Sequence, residues 1–196
     1  MKTISRETLE LVLQSFESVS KDETRQNISG VKLGRDDKHR SIIESTDGVI
    51  FNRHFVDSVA FLGDLKEIII DQKAKSYIKN LLTNNKYNRE FLASVDVDKQ
   101  VIVFSTENGR DSVVAPLVQS DFPKLDHFIP NEKQLEKYLE ININPDLLMK
   151  LFKAMSKEKS THRKAVKLRI SKDNNMSPIV VSTSGDNIGL LMPRRG

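Results

Sequence analysis

The chain has 196 residues, room for one large domain or about two small ones, and its 38% hydrophobic and 30% charged residues describe a folded soluble protein, not a disordered one. The absence of cysteine excludes disulfides, thiolate chemistry and cysteine-ligated metal sites, and no window approaches the ~18 consecutive apolar residues of a membrane span. The net charge of +4 is uneven: residues 1–70 carry 10 basic against 12 acidic side chains and the rest 21 against 15, an asymmetry suited to a polyanionic partner.

Met1 to Ser5 run straight into a polar helical pattern without the apolar core of a secretory signal. With the lack of cysteine, this predicts a cytoplasmic protein. The first helix is expected from Arg6 to Ser18, with Leu9, Val12, Leu13, Phe16 and Val19 at helical spacing. Strands are expected at 28–33, 41–44 and 49–56, the last two joined by the turn Thr46-Asp47-Gly48. The pattern then repeats. A β-branched strand at 66–70 leads to a helix from Gln72 to Asn84, which is expected to bury Ala74, Tyr77, Ile78, Leu81 and Leu82. Strands follow at 90–95, 100–105 and 111–118.

A third unit opens with an expected strand at 135–143. Asn144-Pro145-Asp146 then supplies an N-cap amide, a proline at the first helical position and an early acid. Leu147, Leu148, Leu151, Phe152 and Met155 form the apolar stripe of this helix, and strands are expected at 165–170, 178–182 and 187–192. One grammar thus recurs three times: a short strand, an amphipathic helix with a single apolar face, and about three strands.

Four strings carry a family resemblance. Thr24-Arg25-Gln26-Asn27-Ile28-Ser29-Gly30-Val31 is followed about twenty residues later by Thr46-Asp47-Gly48. Further on come the segment from Asp121-Phe122-Pro123 to Ile129-Pro130 and the tail Leu190-Leu191-Met192-Pro193-Arg194-Arg195. In that order they resemble landmarks of the bacterial beta sliding clamp, the DNA polymerase III beta subunit family. Residues 1–130 resemble its middle domain, with two repeats. Residues 131–196 resemble the second half of its last domain, with one.

The resemblance implies an α+β DNA-clamp fold of three βαβββ repeats, with antiparallel sheets outside and helices lining a ring. It implies a non-enzymatic processivity factor that encircles double-stranded DNA without sequence specificity and needs no cofactor or metal. The family closes its ring with twelve repeats, six per chain and head to tail, so three per chain imply a head-to-tail tetramer. A clamp-like decoy, which binds clamp partners without closing a ring, is the alternative reading.

Helices lining such a ring should offer cations to phosphates. The candidates are Lys73, Lys75 and Lys79 on the second helix, and Lys150, Lys153 and Lys157 at one-face spacing on the third. The resemblance also implies an apolar cleft for short linear motifs of a DNA polymerase and a clamp loader. Carried over by position, Arg25, Thr46, Gly48, Phe51 and Pro130 would form one side, with Leu190, Leu191, Met192, Pro193 and Arg194 on the other. Val49 and Ile50 stand where the family often has polar or basic residues.

Enzyme signatures are lacking. His39, His54, His127 and His162 are scattered, and there is neither a Gly-rich phosphate loop nor a nucleophile elbow.

Overall fold

The computed structural model describes residues 1–22, 24–130, 132–136, 140–155, 167–171, 177–182 and 188–193. The chain divides into two compact units, Met1–Lys124 and Leu125–Gly196, a division a few residues before the boundary at 130 expected from the sequence.

The larger unit begins with β1 (Lys2–Ser5), which runs directly into α1 (Arg6–Ser15). Ser5 ends the strand and caps the helix, its Oγ accepting the Thr8 backbone N–H at 3.1 Å. A 3₁₀ turn at Phe16–Ser18 finishes the helical run expected to Ser18. Strands β2 (Gly30–Arg35), β3 (Ser41–Thr46) and β4 (Phe51–Phe55) follow. The second repeat comprises β5 (Glu67–Asp71), α2 (Ala74–Asn84), β6 (Glu90–Asp96), β7 (Val101–Ser105) and β8 (Ser112–Pro116). Every ladder is antiparallel.

The two sheets run β4-β3-β2-β5 and β1-β6-β7-β8, so each repeat lends its opening strand to the other repeat's sheet. Ile4 sits opposite Phe91 in one ladder, and Ile70 opposite Val31 in the other. The sheets join where Val118 N–H donates to the Ile69 carbonyl at 2.8 Å. Helices α1 and α2 pack on each other and on the sheets. Leu9, Val12, Ala74 and Ile78 are wholly buried with Leu33, Ile43, Phe91 and Phe104 in one core, whereas Tyr77, expected in the same stripe, is 50% exposed. Each fully buried large side chain contributes about 1.5–3 kcal/mol, which is why a single apolar face per helix suffices. Arg6 ties the helices further, its guanidinium donating to the Leu82 and Asn85 carbonyls at the C-terminal end of α2.

On the other face of the first sheet, Lys32, Glu44 and Arg53 stand directly opposite one another on β2, β3 and β4. All three side chains are buried. Glu44 is salt-bridged by both cations, and Arg53 Nε donates to its Oε1 at 2.6 Å. Phe122 of the Phe-Pro string closes this face, its ring 5.1 Å from the Lys32 ammonium.

In the smaller unit, α3 (Glu132–Leu135) occupies the start of the segment expected as a strand, and residues 140–143 are not in a sheet. Ile141 and Ile143 instead pack on that unit's own core of Ile179, Val181 and Leu191. Among the described residues, this corrects the expected opening strand of the third repeat: Leu135 is helical and 140–143 have no ladder partner, while 137–139 lie outside the described residues. Helix α4 (Pro145–Met155) starts where expected, with Asn144 Oδ1 accepting the Asp146 N–H at 2.9 Å. Strands β9 (Lys167–Arg169), β10 (Ile179–Ser182) and β11 (Ile188–Leu191) form an antiparallel sheet in the order β11-β10-β9. No helix among the described residues is long and apolar enough to cross a membrane.

Candidate functional site

The first candidate surface is built around the turn after β3. Thr46 accepts the Gly48 N–H on its Oγ1 at 3.0 Å and donates to the Ile50 carbonyl at 2.6 Å. Asp47 Oδ1 accepts the Val49 and Ile50 N–H groups, both at 2.8 Å. Those bonds, from Ile50 first and Val49 second, hold its carboxyl below the usual aspartate range. Gly48 has φ +91°, and a Cβ there would lie 2.5 Å from the Arg25 guanidinium. Arg25 crosses the turn from the 3₁₀ segment Gln26–Ile28, Nη1 donating to the Asp47 carbonyl at 3.1 Å. Arg25, Thr46 and Gly48 are thus one turn assembly. It projects Val49 (91% exposed), Ile50 and Phe51 into solvent. Arg53 stacks over the Phe51 ring at 5.5 Å. Three adjacent exposed apolar residues on a hydrogen-bonded turn make a rigid hydrophobic tip.

The second candidate surface lies on the smaller unit. Along β11, side chains alternate: Gly189 and Leu191 face inward, while Ile188, Leu190 and Met192 are 71%, 62% and 61% exposed. Leu191 is therefore a core residue, and the outward apolar row is Ile188, Leu190 and Met192. Ile188 is not among the residues predicted from the sequence, although its period-two spacing with Leu190 and Met192 was the available signal. Pro130 and Pro193 are half-buried, and Arg194 lies outside the described residues.

The basic candidates divide. Lys73 and Lys79 are exposed along α2. Lys75 is turned to the 3₁₀ turn that follows α1, its ammonium 2.6 Å from the Glu17 carboxylate, whose pKa it holds below the usual glutamate range. Lys150 and Lys153 are exposed one turn apart on α4, and Lys157 lies outside the described residues. Among the described residues, no group of three or more His, Asp or Glu side chains could hold a metal ion.

No protein family profile matches the sequence, and no curated protein matches it. Solved structures do. The chain superposes on the beta sliding clamp of Caulobacter crescentus with a TM-score of 0.76 at 16% identity, over 97% of this chain and 49% of that one. The DnaN sliding clamp of Bartonella birtlesii, solved bound to griselimycin, gives 0.76 at 19% identity over 97% and 50%. The polymerase beta subunit of Streptococcus pyogenes gives 0.73 at 13% identity over 99% and 50%. The fold is that of the bacterial beta sliding clamps, and the chain spans about half the length of the clamps it matches.

Proposed function

We propose that this chain is a DNA sliding clamp, a non-enzymatic cytoplasmic processivity factor that encircles duplex DNA and docks a DNA polymerase and a clamp loader. The observation that carries this reading is a clamp fold spanning 97% of the chain. Lys73, Lys75, Lys79, Lys150 and Lys153 face phosphates at sliding strength, and the Glu17 carboxylate beside Lys75 offsets part of that residue's charge. Arg25, Thr46, Gly48, Phe51 and Pro130, with Leu190, Leu191, Met192, Pro193 and Arg194, serve motif docking. Within that set Phe51 makes the apolar contact on the larger unit and Leu190 and Met192 on the smaller, where Leu191 holds their strand to that unit's own core.

Three repeats per chain turn through ~90° if each turns ~30°, so four chains close a ring. Sedimentation equilibrium at micromolar concentration is the test. A species of about 90 kDa, four times 22.3 kDa, supports the ring, and retention on circular but not linearised DNA supports encirclement. The single-repeat second unit favours one other reading, the decoy that keeps docking surfaces without closing. A persistent 22.3 kDa monomer that still binds a clamp-binding peptide would establish it.

A further inference from the structure

We propose that the smaller unit is completed by the same unit of a second copy, each lending residues 140–143 to the free edge of the other's β9. The larger unit supplies the template. There, each strand that follows a helix is covered by the opening strand of the other repeat: β2 by β5, and β6 by β1. Among the described residues, β9 pairs with β10 alone, and all three of its residues are exposed. The opening strands β1 and β5 are already committed to ladders in their own unit. Among the described residues, the opening segment without a ladder is 140–143, which precedes α4. The segment that β9 requires is therefore the one that another β9-bearing unit has to give.

The internal register makes this specific. Lys2 stands three residues before the helix cap Ser5 and lies opposite Ala93. Ile141 stands three residues before the cap Asn144. Ala93 lies across from Phe104, and Leu168 across from Val181, each next to the serine that ends its strand. The transferred register sets Ile141 of one copy opposite Leu168 of the other, with Glu140 opposite Arg169. Leu168, now 45% exposed, takes the place of the wholly buried Ala93. An acid opposes a base, and the twofold axis produces the ladder twice. This pairing rests on the fold alone and is independent of DNA, loader or ring closure.

The cysteine-free chain makes the test clean. Full-length Ile141→Cys and Leu168→Cys proteins, mixed and oxidised without DNA, should yield a covalent dimer at least tenfold faster than either variant alone. Arg169→Glu and Glu140→Arg should each weaken self-association about tenfold, and mixing the two should restore it. A mixture that cross-links no faster than the single variants overturns the proposal. So does efficient cross-linking of Leu168→Cys to Lys2→Cys, which would show that β9 is covered by the larger unit's opening strand.

Discussion

Gly48 is constrained twice, by its positive φ and by the Arg25 guanidinium filling the space a Cβ would need. Gly48→Ala should therefore cost about 1 kcal/mol or more in urea unfolding and displace Arg25 from the Asp47 carbonyl. Arg25→Ala in the same background should remove the steric part of that cost and leave the backbone part. Asp47 adds a pH dependence. Its folded pKa is depressed, so its contribution is complete above the ordinary value of 3.8 and is lost as the pH falls through the folded value. Amide chemical shifts of Val49 and Ile50 should report this loss in acid, and Asp47→Asn should abolish the titration. Glu44 is more demanding. Removing it strands two buried cations, so Glu44→Ala should destabilise the larger unit by about 3–5 kcal/mol, read from the urea midpoint.

At the scale of elements, β11 and the turn after β3 each present an apolar row. Phe51→Ala with Met192→Ala should weaken binding of a clamp-motif peptide by ~1.4 kcal/mol or more, a tenfold change, with the fold intact. Leu191→Ala should instead lower stability, because Leu191 lies in the core. On the helices, Lys150→Gln with Lys153→Gln should reduce the slope of log K against log salt by ~0.9 for each phosphate no longer neutralised, without affecting peptide binding.

The helices were legible because their apolar stripes and caps are local signals. Asn144-Pro145-Asp146 located the start of α4, and the Ser41–Thr46 strand announced itself by composition. Strand partnership was not legible. Lys2-Thr3-Ile4-Ser5 offers one buried residue, too little for periodicity to register, and its partner lies about ninety residues away. The buried Lys32–Glu44–Arg53 row reads in sequence as three unremarkable surface charges, and register alone brings them together. On β11, an unbroken apolar run concealed the alternation that separates Leu191 from Leu190 and Met192.

At the scale of the molecule, the reciprocal loan of opening strands governs what can be built. A contact in which two copies exchange identical strands is twofold by construction, so chains joined in the proposed way would run in opposite senses at that joint. Chains joined this way close only in even numbers, which a ring of four satisfies. A ring with head-to-tail joints has a front and a back, and everything docked on it faces one way. Twofold joints erase that polarity. In a ring built with such joints, two of the four chains would present their apolar rows on one face and two on the other.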